Sequence, residues 1–307
     1  MKASPDLWAI VLAGGDGRRL SSLTRALYGA EVPKQFAVLE GSRSLLQSTM
    51  DRIAPLVPPE RTVVVVSEPY ESLARAQLAG APGVDIAVQP RNLDTGPGIL
   101  FPLARIRARS PDAQAVVFPA DHHVKSPARL LDAIASAAAW RGPDARRLVL
   151  LGVVPAHAET EYGWIVPGRR LVPRVSAVAR FVEKPTAPEA ARLFARGAMW
   201  NTFISTAPVA TYWELARLCL PEQLRLFEGY GPWVDRAGER EALALAYATM
   251  PAASFSRNAL ARATSLAVMR VAGLGWSDWG SPRRVFASLE GTSALDALVQ
   301  RISSATA

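Results

Sequence analysis

Five apolar runs, WAIVLA (8–13), TVVVVS (62–67), VDIAVQP (84–90), AVVFPAD (115–121) and RLVLLGVVP (147–155), alternate with stretches whose apolar residues recur at helical spacing. The helices are read in SLLQSTMDRIAPLV (44–57), ESLARAQLAG (71–80), GILFPLARIRAR (98–109) and LLDAIASAAAW (130–140). β-Branched runs separated by amphipathic helices require a sheet covered on both faces, and therefore a mainly parallel one. Such sheets bind ligands beyond the carboxyl ends of their strands. The informative residues are those that follow the strands: Gly14 to Lys34, Gln89 to Pro97, and Asp121 to Lys125.

From about residue 160 the pattern shortens to extended pieces, EYGWIVP, VSAVARFVEKP and WNTFIST, mixed with helices in APEAARLFARG and VATYWELARLCL. No linker rich in Gly, Ser or Pro separates the halves. The expected fold class is α/β: a single Rossmann-like domain, with a mainly parallel sheet flanked by helices and a smaller β-containing second half facing the substrate. It is expected to span residues 1–290, followed by a short helical tail, 291–307, where SALDALVQRISS has one apolar face.

The formal net charge of +8 raises the question of nucleic acid, but the basic residues are scattered singly and in pairs, with no basic helix face or aromatic RNA-binding motif. Nucleic acid is not an expected partner. Neither is a membrane, since WAIVLA falls far short of the roughly 20 apolar residues of a span. One cysteine, Cys219, among 307 residues suits a reducing cytoplasm. Only four of the 35 basic residues are lysines: Lys2, Lys34, Lys125 and Lys184. In a chain that otherwise uses arginine, a lysine marks either a crowded phosphate site that prefers a compact ammonium or a chance survivor of bias.

The stretch LAGGDGRRLSSLTRALYGAEVPKQF (12–36) follows the first strand. It has Arg where a dinucleotide fingerprint needs its third glycine, and it lacks the Lys-Ser or Lys-Thr step of a P-loop. Two readings stay open: an ordinary strand-to-helix turn, or a bare backbone that lets a phosphate and a flat base approach closely.

LAGGDGRRL followed by PKQF resembles the signature of the sugar-phosphate nucleotidyltransferases, in their mannose-1-phosphate guanylyltransferase branch. QPRNLDTGPGIL, FPADHHV, EYGWI, FVEKP, WNTFI and GWSDWG resemble it in the same order, over residues 8 to 290. The resemblance implies an enzyme that takes GTP and mannose 1-phosphate to GDP-mannose and pyrophosphate, with Mg²⁺ as cofactor. It further implies that Leu12, Gly14, Gly15, Gly17, Gln89, Asn92 and Thr95 hold the nucleotide. Arg19 and Lys34 then face the triphosphate and Lys184 grips the sugar phosphate, these three being the catalytic candidates. Gly163, Glu183 and Asn201 hold sugar hydroxyls, and Asp121 with Asp278 shares the metal. A cytoplasmic enzyme, with a homodimer left open, completes the expectation.

For Gln89, Asn92 and Thr95 a capped turn is the alternative; for Asp121, a helix cap; for Asp278, a turn-stabilising side chain. Trp164 and Trp200 read as packing. His122 and His123 invite zinc, but no second metal-spaced cluster accompanies them. The chain departs from the family at Ser21-Ser22-Leu23, where a Pro-Leu step is usual, in a longer Arg19 to Lys34 segment, and at Phe203, where many relatives have glycine. SFSRNALARA (254–263) stands where the branch carries an acidic residue. These departures keep another NTP, another sugar 1-phosphate or a non-catalytic nucleotide-sugar sensor in play; a retaining glycosyltransferase leaves PKQF unexplained. The β-helix or cupin extensions of some relatives are not expected within these residues.

Overall fold

The computed structural model describes residues 6–140 and 146–305; Lys2 lies outside them, as do the first residues of the expected domain and the last two of the tail. The chain opens with β1 (Leu7–Leu12), α1 (Ser21–Tyr28), α2 (Leu45–Ile53), β2 (Thr62–Ser67), α3 (Glu71–Leu78) and β3 (Asp85–Gln89). It continues through α4 (Thr95–Arg109), β4 (Gln114–Pro119), β5 (His123–Val124), α5 (Pro127–Ala139) and β6 (Leu148–Val153). The second half contributes β7 (Gly163–Val172), β8 (Val175–Glu183), α6 (Ala187–Ala195), β9 (Met199–Pro208), α7 (Val209–Cys219), α8 (Pro221–Tyr230) and α9 (Glu239–Thr249). Last come β10 (Leu266–Val271), β11 (Trp276–Ser277), α10 (Pro282–Leu289) and α11 (Ser293–Ala305).

Local chemistry accounts for these boundaries. Ser44 and Gln47 form a reciprocal capping box that starts α2, with Gln47 N–H donating to Ser44 Oγ at 3.2 Å and Ser44 N–H to Gln47 Oε1 at 3.1 Å. Proline occupies the first turn of α5, α6, α8 and α10, where its missing N–H leaves no bond unmade. β2, TVVVVS, is buried along its whole length, as a central strand covered on both faces must be.

Nine strands form one sheet in the order β3-β2-β1-β4-β9-β6-β10-β8-β7. The pairs β3-β2, β2-β1, β1-β4 and β6-β10 are parallel, whereas β9 inserts antiparallel between β4 and β6, and β8 runs against β10. All strands of this sheet but β8 and β9 thus point one way, in the α/β class expected. The reversal of β9 matters for the site. Its first residues lie at the same edge as the ends of β4 and β6, with Asn201 opposite Gly152 and Trp200 opposite Val153. β7 begins paired with both β8 and β9, so Gly163 lies opposite Glu183 while Trp164 lies opposite Trp200.

One large apolar core fills the sheet face under α4, α7, α8 and α9, and another fills the opposite face under α2, α3 and α5. α1 arises inside the stretch read from sequence as one loop. It packs with α10 and α11 around Trp279 in a third, smaller core that includes Leu20, Leu23, Val285, Leu289 and Leu298. Among the described residues no helix is long and apolar enough to cross a membrane.

Leu298 is 1% exposed and is the buried anchor of α11 on this third core. Leu298→Ala is expected to lower unfolding free energy by roughly 2–5 kcal/mol through lost transfer and a residual cavity. Urea denaturation followed by circular dichroism checks it; a loss under about 0.5 kcal/mol would show that α11 does not depend on this contact.

Candidate functional site

A cleft of about 760 Å³ opens at the carboxyl edge of the sheet, where the loops after β1, β3 and β4 meet the starts of β7 and β9 and the end of β8. Its floor begins at Leu12, and its first wall is the glycine loop. That loop is held through its carbonyls: Ser67 Oγ donates to Gly14 O at 2.8 Å, and Gln35 Nε2 donates to Ala13 O and Gly15 O, both at 2.7 Å. Gln35, the glutamine of PKQF, is buried. By contrast, the main-chain N–H groups of residues 14 to 17 donate to no protein acceptor among the described residues. Carbonyls pinned from behind and amides left open make an anion-binding concavity. The glycines differ in their reasons. A Cβ on Gly17, whose φ is +65°, would stand 2.5 Å from the Lys34 main-chain nitrogen, and one on Gly14 would stand 2.7 Å from Gln89 Nε2; at Gly15 nothing lies within 4 Å. The protein leaves the space over Gly15 empty.

Gln89, Asn92 and Thr95 line the same end. Asn92 Oδ1 accepts from Asp94 N–H at 3.0 Å, and Thr95 Oγ1 accepts from Phe255 N–H at 2.9 Å. Both side chains therefore shape the loop as well as lining the cleft. Gln89 Oε1 accepts from Tyr247 Oη at 3.1 Å.

Asp121 and Asp278 are brought together by the small antiparallel pair β5-β11, in which His123 lies opposite Ser277. Lys34, 5% exposed, ties them: its ammonium pairs with Asp121 Oδ2 at 2.9 Å and donates to the main-chain carbonyl of Asp278. The corner is braced from α2, since Thr49 Oγ1 donates to Ala120 O at 3.0 Å and Arg52 donates to His122 O at 3.1 Å. Asp278 Oδ1 accepts from Tyr162 Oη (2.9 Å), Gly280 N–H (2.8 Å) and Arg284 (3.1 Å). Burial opposes ionisation of both aspartates, yet Lys34 beside Asp121, and His122, Arg284 and Lys34 around Asp278, hold both carboxyls below the usual range. Burial pushes His122 down to about 4, so it is neutral near pH 7, and its Nδ1 accepts from Trp276 Nε1 at 3.2 Å. His123 stacks on Trp279 with ring centroids 4.4 Å apart. Arg19, more than half exposed, stands at the rim with Glu161 at 3.5 Å and Asp278 at 3.7 Å.

The third wall is Gly163, Glu183 and Asn201, with Lys184 beside them. A Cβ on Gly163 would stand 2.8 Å from Glu183 Oε2 and 3.4 Å from Asn201 Cβ, so the close approach of the three strands requires glycine there. Asn201 Oδ1 accepts from Phe203 N–H at 3.2 Å. Burial raises the Glu183 carboxyl, against the pull of Lys184 and Arg257 and a hydrogen bond with Ser256. Trp164 and Trp200 are buried and packed edge to face, with ring centroids 6.2 Å apart.

Of the residues given nucleotide, catalytic, sugar or metal roles from sequence, all line this cleft except Arg19 and Lys34, which border it from the rim and from beneath; His123, Trp164 and Trp200 do not line it. Gln35, Tyr162, Ser256, Arg257 and Arg284 were not anticipated. Tyr162 and Gln35 sat unremarked inside the motifs EYGWI and PKQF; nothing in the sequence pointed to Arg284.

The family model for nucleotidyl transferases matches residues 8–288. The chain belongs to the nucleotidyl transferase family. The xanthan biosynthesis protein XanB of Xanthomonas campestris pv. campestris (strain B100) is 32% identical over 284 residues, covering 90% of this chain and 58% of XanB. The mannose-1-phosphate guanylyltransferase RfbM of Salmonella typhimurium is 31% identical over 283 residues, covering 89% of this chain and 56% of RfbM. The chain thus spans under two thirds of the length of these relatives. A crystal structure described as mannose-1-phosphate geranyltransferase from Thermus thermophilus superposes with a TM-score of 0.79 at 29% identity, over 93% of this chain and 79% of that one.

The contrast between Gly15 and Gly17 gives a test of the first wall. Gly15→Ala is expected to leave stability within about 0.5 kcal/mol, as surface substitutions do, and to weaken nucleotide binding. Gly17→Ala is expected to lose at least about 1–2 kcal/mol, because a left-handed residue gains a Cβ against the Lys34 backbone. Thermal melts paired with calorimetric titration of GTP read both; a Gly15→Ala protein that binds GTP like wild type would show that the open space is not a ligand's.

Proposed function

We propose that this chain transfers the guanylyl group of GTP to mannose 1-phosphate, giving GDP-mannose and pyrophosphate. A phosphate oxygen of the sugar phosphate attacks the α-phosphorus in line; the bond from that phosphorus to the bridging oxygen breaks, and pyrophosphate leaves with the electron pair. Such a transfer needs no protein nucleophile, only positioning and stabilisation of charge. The observation that carries the reading is the glycine loop, whose amides are free while its carbonyls are tied back, facing a pair of ionised aspartates across one cleft.

In this reading Leu12, Gly14, Gly15, Gly17, Gln89, Asn92 and Thr95 receive the nucleotide. Arg19 and Lys34 meet the triphosphate, while Gly163, Glu183 and Asn201 take the sugar hydroxyls and Lys184 the sugar phosphate. Mg²⁺ fits the remaining pair. Asp121 and Asp278 are hard oxygen donors kept ionised; Asp121 Oδ1 accepts no hydrogen bond among the described residues, and Asp278 Oδ2 is met by Arg284 at 3.3 Å and Arg19 at 3.7 Å. One or two carboxylates plus substrate phosphates are the usual protein share of a Mg²⁺ site. When bound, the ion supplies charge neutralisation at the phosphates. Lys34 holds the two aspartates in register beneath it, and Tyr162 orients Asp278 from the sugar side. The single cysteine and the use of GTP fit a cytoplasmic setting.

A non-catalytic sensor is disfavoured because the full set of cations and both aspartates are retained in one cleft. One observation keeps a different sugar 1-phosphate as the second reading: the bulky ring of Phe203, at φ 62°, lines the sugar end.

With pyrophosphate release as readout, GTP with mannose 1-phosphate is expected to outrun ATP, CTP, UTP and dTTP. Equal or better turnover with dTTP and glucose 1-phosphate would overturn the assignment. Asp121→Asn and Asp278→Asn, which keep size but remove charge, are each expected to stay folded, retain nucleotide binding and lose roughly 100-fold or more in turnover, the scale of losing a key electrostatic stabiliser. Turnover within threefold of wild type in either variant would remove that aspartate from the metal site.

A further inference from the structure

The cations of the cleft divide into two groups. At the metal end Lys34, Arg19 and Arg284 are each committed to a carboxylate of the protein. At the sugar end Lys184 and Arg257 flank Glu183, and among the described residues neither side chain makes an ion pair or hydrogen bond with the protein. That end therefore carries two cations with unused donors beside two carboxylates, Glu183 and Asp94.

The backbone at Arg257 is firmly placed, and its side chain is exposed to the cleft. Arg257 lies on a single turn of π-helix, Phe255–Leu260, a conformation that recurs at functional positions. The turn is fastened to the loop after β3 by Phe255 N–H to Thr95 Oγ1 (2.9 Å), Gly96 N–H to Ala253 O (2.7 Å) and Ala253 N–H to Leu93 O (3.1 Å). Within it Ser254 N–H donates to Asn258 Oδ1 at 2.8 Å. Ser256, 4% exposed, bonds to Glu183, so a neutral hydroxyl meets that carboxylate. A phosphate monoester, with its second pKa near 6, is an anion whose three acceptor oxygens match those unused donors.

We propose that Arg257 is a second phosphate-binding residue of this cleft, which together with Lys184 grips the phosphate of the sugar 1-phosphate and sets the affinity of the sugar end. This rests on the nucleotidyl-transfer reading above. A charge-assisted hydrogen bond from a guanidinium to a phosphate corresponds to a ten- to hundredfold change in affinity when it is lost.

Calorimetric titration of the full chain with GTP, with mannose 1-phosphate, with glucose 1-phosphate and with free mannose tests it, alongside steady-state kinetics. Arg257→Ala is expected to weaken sugar 1-phosphate binding and raise its KM ten- to hundredfold, with kcat within about threefold and GTP affinity within twofold. Arg257→Lys is expected to recover part of the loss, since charge remains without the fork. Sugar phosphate affinity unchanged in folded Arg257→Ala overturns the proposal while leaving nucleotidyl transfer standing. Equal weakening of GTP and sugar phosphate overturns it as well, by assigning Arg257 to the turn's architecture. A wild-type chain that binds neither GTP nor any sugar phosphate overturns both readings.

Discussion

The buried ammonium of Lys34 is the contact on which the site depends. Three segments distant in sequence meet on it: the PKQF step, the end of β4 at Asp121 and the β11 turn at Asp278. Removing one partner of a buried ion pair leaves an uncompensated charge and costs several kcal/mol, far more than an exposed pair contributes. The carboxylates would otherwise repel each other across the cleft. Gly17 closes over the Lys34 backbone because only a residue without a side chain fits there in the left-handed conformation. The glycine loop and the aspartate pair are therefore one construction.

Strain is concentrated around the same cleft. Asp94, Lys184 and Phe203 line it with φ of 70°, 47° and 62°, and Trp279 beside Asp278 has φ 44°. Residues with a Cβ occupy this region at a cost of order 1–3 kcal/mol each, and they persist where surrounding structure over-determines them. Here the determinants are visible: Asn92 Oδ1 receives the Asp94 N–H, Tyr162 O receives the Lys184 N–H, and Asn201 Oδ1 receives the Phe203 N–H. Each of these three has its amide held by a neighbour that also lines the cleft. The side chains are thereby aimed before any ligand arrives, which lowers the entropy of ordering them later.

Periodicity made the first half legible. The β-branched runs became β1, β2, β3, β4 and β6, and the rule that ligands sit beyond strand ends led to Gly14, Gln89 and Asp121 before any contact was known. What composition and spacing could not reveal was direction. β9, WNTFIST, reads as another extended piece, and nothing in its alternation says that it inserts antiparallel between β4 and β6, though that reversal delivers Asn201 to the cleft. Nor could spacing show that Lys34 is buried beneath the cleft. Long-range pairs such as Tyr162 with Asp278, and a single arginine such as Arg284, have no periodic signature, because the partners that define them belong to separate elements. Segment 254–263 was legible only as a departure, a missing acid; that it winds as a π-turn against Thr95 depends on tertiary hydrogen bonds.

The three walls differ in how they offer charge, and the difference follows the order of groups in the proposed reaction. The glycine loop offers dipoles, which hold an anion without a counter-ion and let a flat base lie close. The aspartate pair offers negative charge already balanced by Lys34 and Arg284, so a divalent cation entering with phosphates adds to a nearly neutral corner. The sugar end offers the unspent cations Lys184 and Arg257. A polyphosphate lying from the first wall to the third would meet dipoles, then a metal seat, then fixed positive charge. Reversed, it would set an uncharged base against the donors of Lys184 and Arg257 and leave them without an anion. In the proposed reaction, the electrostatic order of the cleft therefore favours one orientation of the substrates before any hydroxyl is read.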